Sequence, residues 1–252
     1  MDINSATSCW RTTRHATLCA LAVFLPQLAG AAAWDIDPVR VELSPEQQTA
    51  AIMIKNDSDQ ATSIQIQTVA WSQVGGKDVY APTRELLVSP PIVTIAPKSE
   101  QVVRAALRRQ ADASGELAYR INLQELPPPT AAGFTGVQVA LRIGLPVFVQ
   151  SQKGDAAAKV LWSVARMPDN QLKVVLHNAG NAHVQVSDFS LYVPGRDQPI
   201  AGESGSNYVL AGQTREWMLK MTMTETLASG RLHLKAFTDA GDIDTELALD
   251  KP

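Results

Sequence analysis

"GVQVALRIGLPVFVQ", residues 136–150, starts with apolar residues alternating with polar or small ones and ends almost wholly apolar. That pattern is a β-strand, and its period of two puts Val137, Val139, Leu141 and Ile143 on one face. Arg142 is the only charged residue in the stretch, so nothing beside that face could break a bond. Such a strand either feeds its own core or stays open as an edge for another chain, and natural sheets normally blunt open edges.

The same signature extends in both directions. Upstream lie "VRVEL" (39–43), "AAIMIKN" (50–56), "TSIQIQTVAW" (62–71), "IVTI" (92–95), "QVVRAAL" (101–107) and "LAYRINLQEL" (117–126). Downstream lie "VLWSVARM" (160–167), "QLKVVLHN" (171–178), "HVQVSDFSLYV" (183–193), "YVLAGQTREWMLKM" (208–221), "RLHLKAFTDAG" (231–241) and "DTELAL" (244–249). Turn formers separate them, among them Asn56–Asp59, Gly75–Asp78, Met167–Asn170 and Asn178–Asn181. This rhythm belongs to all-β sandwiches. With no βαβ alternation, a parallel sheet and a dinucleotide fold are excluded. "QADASGEL" (110–117) reads as a loop or a single helical turn, and the polar "SQKGDAAAK" as a connector. The fold class is therefore all-β, two tandem β-sandwiches: residues 34–150, a linker at 151–157, and residues 158–252.

The first 33 residues read differently. Arg11 and Arg14 precede the apolar "ATLCALAVFLPQLAG", and "AGAAA" supplies small residues for a cut after Ala33. This is the pattern of a secretory signal peptide, so the chain is expected to leave the cytoplasm and keep no membrane insertion after cleavage. Cys9 and Cys19 both lie inside that signal. From Trp34 onward no disulfide, thiolate or cysteine-based metal site can form, and each sandwich must stand on its own hydrophobic core. A net charge of -3 over 252 residues offers no basic stripe to nucleic acid.

The search for reactive groups returns little. His15, His177, His183 and His233 are scattered without a compact metal-binding spacing, although His177 and His183 flank one turn. "GESGSN" (202–207) is not a Gly-x-Ser-x-Gly elbow, and Ser204 and Ser206 read as loop residues. No glycine-rich phosphate loop is present. The expectation is a protein that is not an enzyme and takes no cofactor and no metal. Trp71, Trp162 and Trp217 are dispersed among strand patterns and read as core residues, which weakens the alternative of a secreted adhesin or carbohydrate-binding module.

Taken in order, "DPVRVEL", "IMIKN", "IQIQTVAW", "LLVSPPIVTIAPKSEQVVR", "AYRINLQELPPP" and "VALRIGLPVFV" resemble the N-terminal domain of periplasmic pilus chaperones, the PapD-like family of the chaperone–usher pathway. The second half resembles that family more loosely, through "VVLHNAGNAHVQV", "YVLAGQTREWML" and "HLKAFTDAGDI". The ending "RIGLPVFV" looks closer to the archaic branch.

The resemblance implies two immunoglobulin-like domains in a boomerang. It implies a periplasmic chaperone that forms one-to-one complexes with pilus subunits and passes them to an outer-membrane usher. Such subunits lack a final strand, and the chaperone lends its own, here Val137, Val139, Leu141 and Ile143, with Phe134 extending the contact. The resemblance also implies a cleft arginine for the subunit's C-terminal carboxylate, which maps to Arg40. The usual lysine partner falls at Gly144, a departure for which Arg142, on the same strand face, is the expected replacement. Arg104, Glu125 and Asp239 fall where the family places an interdomain salt-bridge network.

Overall fold

The computed structural model describes residues 34–128, 135, 137, 139–222 and 230–250. Residues 1–33, where an export signal is expected, Phe134 and the last two residues lie outside them. The described residues are all-β, in two sandwiches.

The first sandwich begins with a strand that changes sheets. Strand β1 (Trp34–Asp37) pairs with β3 (Thr49–Asn56), whereas β2 (Val41–Leu43) runs parallel to β10 (Arg142–Val149). Between them Pro38, which cannot donate to a ladder, interrupts the pairing. One sheet is ordered β1-β3-β8-β6, with β6 spanning Leu86–Ser89 and β8 Glu100–Leu107. The other is β2-β10-β9-β4-β5, with β4 at Thr62–Val74, β5 at Lys77–Pro82 and β9 at Leu117–Leu126. Strand β7 (Ile92–Ile95) also pairs with β4. Alternate residues fill the space between the sheets, among them Ile52, Ile54, Ile64, Val103, Ile121, Leu123 and Val147.

The second sandwich follows the path β14-β13-β16-β17-β11-β12-β15. These strands are β11 (Val160–Met167), β12 (Gln171–Asn178), β13 (Val184–Tyr192), β14 (Ala201–Val209), β15 (Thr214–Lys220), β16 (Arg231–Thr238) and β17 (Ile243–Asp250). The two ends of the path, β14 and β15, touch, so the sheet folds over a core that includes Leu172, Val174, Val186, Phe189 and Leu234. Trp162 and Trp217 stack against each other at its margin. Two of the turns read from sequence close hairpins, whereas the hairpin expected at Asn178–Asn181 is not formed, because that turn joins β12 to β13, which do not pair. Asp169 and Asn170 both take positive φ between β11 and β12, as do Gly75 and Gly76 between β4 and β5.

Two readings change. Residues 202–207 belong to strand β14 rather than to a loop. Polar side chains there pair across strands: Ser204 donates to Asp188 at 2.7 Å, and Gln185 donates to Ser206 at 2.8 Å. Glycine and serine hide this strand from a propensity argument because they are depleted in strands generally. The second change concerns the opening stretch. Strand β10 starts at Arg142, and its last rung outward is Leu141 opposite Glu125, where the Glu125 N–H donates to the Leu141 carbonyl at 2.9 Å. Beyond that rung the neighbouring strand β9 ends at Leu126 and gives way to Pro127 and Pro128. Val137 and Val139 consequently have no ladder partner among the described residues and are 90% and 74% exposed.

A matched pair of buried asparagines closes one end of each sandwich. Asn56 donates to the carbonyls of Gln60, Ile95 and Ala96, while its Oδ1 accepts from Ser58. Asn178 donates to the carbonyls of Ala182, Val209 and Leu210, while its Oδ1 accepts from Gly180 and Lys159. Both side chains are almost fully buried, at 1% and 0% exposure. Removing either leaves several buried backbone groups unpaired at about 1–3 kcal/mol each. Asn56→Ala and Asn178→Ala should each lower unfolding free energy by about 2–4 kcal/mol in urea titrations. Changing the exposed neighbour Asp59 to Ala should cost less than about 0.5 kcal/mol.

Candidate functional site

The sheet switch between β1 and β2 delivers Arg40 to the seam between the two sandwiches. Its Nη1 donates to Asp239 Oδ2 at 2.8 Å, and its Nη2 lies 3.0 Å from Glu42 Oε1. Asp239 stands in the turn after β16, where its Oδ1 also accepts the Gln185 N–H at 2.7 Å. His183 Nε2 lies 3.4 Å from Asp239 Oδ2, an ion-pair distance rather than a close hydrogen bond. On its other side, His183 Nδ1 meets the Glu116 carboxylate at 2.7 and 2.8 Å, and the His183 backbone N–H donates to the same group. The His183 ring lies flat on Phe148, with centroids 3.4 Å apart. Glu116, His183, Asp239, Arg40 and Glu42 therefore form a chain of alternating charge that passes from one sandwich to the other and back.

Strand periodicity explains what else reaches this seam. Even-numbered residues of β9 and β10 and odd-numbered residues at the end of β4 face away from the first core. Trp71 and Phe148 thereby meet Tyr208 and Leu210 of the second sandwich in a small buried cluster. Trp71 is thus a seam residue rather than part of either main core.

Beside the cluster opens a cleft of about 700 Å³ lined by Val39, Arg40, Arg120, Gly144, Pro146, Tyr208 and Asp239, among others. Arg120, on β9, lays its guanidinium 4.3 Å from the centroid of Trp71 and 5.6 Å from that of Tyr80. Its Nε is buried without a hydrogen-bond partner. A Cβ added at Gly144 would stand 3.4 Å from Arg120 Nη1 and 3.3 Å from Asn122 Oδ1, so the glycine leaves the space that Arg120 fills.

The expected residues are thus placed unevenly. Arg40 and Asp239 meet, as partners. Arg104 stands exposed on β8, in the other sheet of the first sandwich. Glu125 uses its Oε2 to accept the Leu141 N–H at 3.0 Å. Neither shares an ion pair or a hydrogen bond with Asp239 among the described residues, so the seam network is Glu116–His183–Asp239–Arg40 instead. Arg142 is exposed opposite Gln124, two residues before Gly144 at the start of β10, and is not among the residues lining the cleft; the second cation there is Arg120. Of the four apolar residues on β10's face, Ile143 packs against the first core and Leu141 is half-buried. Val137 and Val139 alone of the four are fully exposed. His183, Glu116 and Arg120 went unread because a lone histidine, glutamate or arginine in a strand pattern carries no local signal.

Fold and cleft define a two-domain immunoglobulin-like protein with a charged cleft at the seam of its sandwiches. Residues 33–154, which hold the first sandwich, match the family model for the pili and flagellar-assembly chaperone PapD N-terminal domain. Among solved structures it is similar to the CsuC–CsuE chaperone–tip adhesion subunit pre-assembly complex from the archaic chaperone-usher Csu pili of Acinetobacter baumannii. That match has a TM-score of 0.62 and 20% identity over 88% of this chain and 100% of that one. The E. coli chaperone DraB matches with a TM-score of 0.55 and 18% identity over 88% and 97% of the two chains. The Salmonella enterica SafA pilin in complex with the SafB chaperone matches with a TM-score of 0.56 and 17% identity over 87% and 97%. At these identities the likeness establishes a shared fold. No curated protein matches the sequence.

The seam network carries a pH signature. Burial works against the charged form of His183, but Asp239 and Glu116 outweigh it and raise the imidazole's pKa above its ordinary value. Burial likewise works against the Asp239 carboxylate, yet His183, the Gln185 amide and Arg40 hold its pKa below the usual range. A raised histidine pKa contributes stability that is complete below the unfolded value of about 6.5 and is lost as pH rises through the folded value. The native protein should therefore lose resistance to urea as pH rises above about 6.5, and His183→Gln should flatten that slope. An unchanged slope in the variant would show that His183 is neutral in the fold.

Proposed function

We propose that the chain is a periplasmic chaperone that captures strand-deficient pilus subunits one to one, lends them a strand, and delivers them to an outer-membrane usher. The observation that carries this reading is the bare edge of β10. Strand β2 covers it only from Val147 to Val149, so residues from Arg142 to Pro146 have β9 on one side and, among the described residues, no strand on the other. The exposed Val137 and Val139 continue from that edge, and the basic cleft lies beside it. A subunit lacking a strand could pair with the backbone there while Val137, Val139 and Leu141 enter its groove, each burial contributing roughly 1.5–3 kcal/mol. The signal-like residues 1–33 support export to the periplasm, and the likeness to the Csu complex agrees with the archaic reading of "RIGLPVFV".

The cleft suits a terminal carboxylate. Arg40 is already shared between Asp239 and Glu42, which orient its guanidinium fork. Arg120 brings an unpaired Nε and a planar fork held over aromatic rings. We assign it, in place of Arg142, as the second anchor for the subunit's C-terminus.

Co-expression with the pilus subunits encoded in neighbouring genes tests the function: a soluble one-to-one complex is expected, and subunits that aggregate regardless would overturn it. Replacing Val139 and Leu141 together with Asp should abolish capture while the free protein melts normally, because unpaired charges do not enter an apolar groove. Loss of one member of a buried charged contact costs about 2–5 kcal/mol. Arg120→Ala should accordingly weaken capture by a factor of roughly tens to thousands. Arg142→Ala should change it less than about threefold. The reverse ranking would return the anchor to Arg142.

A further inference from the structure

The seam holds one buried polar side chain that the charged network leaves unexplained. Gln73, near the end of β4, is only 5% exposed. Its Nε2 donates to the carbonyl of Tyr208 at 2.9 Å, and its Oε1 accepts the N–H of Leu210, also at 2.9 Å. These two backbone groups flank Val209 at the end of β14, the outermost strand on its sheet path. Along an extended strand the carbonyl of one residue and the N–H two residues on point the same way, so they present a donor and an acceptor together. The Gln73 amide fills both, as a neighbouring strand would. One rung of β-ladder thus joins the two sandwiches through a side chain.

The orientation of that amide is fixed three times over. A second Nε2 hydrogen donates to Asp78 Oδ1 at 2.8 Å. Asp78 and the Tyr208 carbonyl can only accept and the Leu210 N–H can only donate, so a flipped amide would fail at every contact. Asp78 in turn accepts from Trp71 Nε1 at 2.9 Å and from the Tyr80 hydroxyl at 3.2 Å. Trp71 and Tyr80 are the rings beneath Arg120. The clasp on the second sandwich and the shelf under the cleft's arginine therefore share one carboxylate.

We propose that Gln73 is a positioning residue: it sets the angle between the two sandwiches and, through Asp78 and Trp71, couples that angle to the place of Arg120 in the cleft. Of the ion pairs across the seam, Arg40–Asp239 is partly open to solvent, which weakens its hold on geometry. The Gln73 contacts are buried and directional, and no other side chain shape meets all three partners. The part of this proposal that concerns capture rests on the chaperone reading; the part that concerns the angle does not.

The experiment uses spin labels on Gln101→Cys and Lys220→Cys, one in each sandwich, in a chain whose own cysteines lie only at positions 9 and 19. Distance distributions are compared for the native background, Gln73→Leu, Gln73→Glu and the control Ser72→Ala, with circular dichroism to confirm folding. The native and control proteins should give one narrow distribution. Gln73→Leu should broaden it at every pH. Gln73→Glu should broaden it at about pH 8, where a carboxylate opposes Asp78 and the Tyr208 carbonyl, and narrow it again near pH 5 as the buried acid regains a proton to donate. Capture of the co-expressed subunit should fall roughly tenfold or more wherever the distribution broadens. Native-width distributions in both Gln73 variants would overturn the proposal, as would lost capture with an unchanged distribution. Should Gln73→Leu not fold, the pH-dependent Gln73→Glu result decides alone. If the native protein itself captures no subunit, the chaperone reading falls, and the distance measurement still decides the role of Gln73.

Discussion

A strand with a neighbour on one side only is an unfinished ladder, and among the described residues β10 is unfinished from Arg142 to Pro146. Two prolines-bearing segments bring this about. At Pro38 the first strand crosses from one sheet to the other, so β2 reaches β10 only at its far end. At Leu126 strand β9 stops, so Val137 and Val139 have no ladder partner among the described residues. An exposed edge of this kind normally invites aggregation and is covered or charged. Here the inner face of β10, from Ile143 to Val149, is committed to the first core, which keeps the strand in register while its outer edge stays available. The same crossing at Pro38 carries Arg40 into the seam. Open edge and anchored cation are consequences of one local constraint.

The seam then has to orient two separate cores that the chain joins only between Val149 and Val160. Its apolar part is small, built on Trp71, Phe148, Tyr208 and Leu210. A contact of that size resists separation but specifies angle poorly, because apolar burial is not directional. Direction comes from hydrogen bonds at separate points of the seam. Gln73 grips the end of β14, Glu116 grips His183, and Asp239 joins His183 to Arg40. The stack of His183 on Phe148 ties the aromatic cluster to the charge network, so rotation at one point disturbs the others.

Legibility in the sequence followed the range of the interactions. Strands, hairpins and the two-sandwich division rest on local period and turn chemistry, and Asp169-Asn170 and Gly75-Gly76 take the positive φ their turns need. The strand at 202–207 was hidden because its pairing partners, Asp188 and Gln185, sit on β13, and its own glycines and serines argue for a loop. The end of β10 was overextended because alternation in residues 136–141 says nothing about whether a neighbour exists there. Arg104 and Glu125 were expected in the seam by resemblance. Register sends one to the opposite sheet and the other to the rung at Leu141. Gln73 carried no signal at all, since its partners are backbone groups more than a hundred residues away.

Gly144 and Arg120 show how a departure in sequence can preserve a geometry. Gly144 pairs directly with Asn122, and Arg120 pairs with Pro146, so Arg120 is the diagonal cross-strand neighbour of position 144. Diagonal neighbours on one face lie within reach of a long side chain. A long cation could rise from 144 itself, or arrive from 120 across a bare 144, and a Cβ at 144 would already touch Arg120 Nη1 at 3.4 Å and press on Asn122 Oδ1 at 3.3 Å. The glycine is the arrangement that leaves Arg120 undisturbed. Choosing the β9 position also changes what supports the charge. From there the guanidinium lies on Trp71 and Tyr80, a flat arrangement that arginine satisfies and lysine does not. Those rings are steadied by Asp78, which the Gln73 clasp also holds. Moving the cation by one strand therefore places it on the same support that sets the angle of the seam.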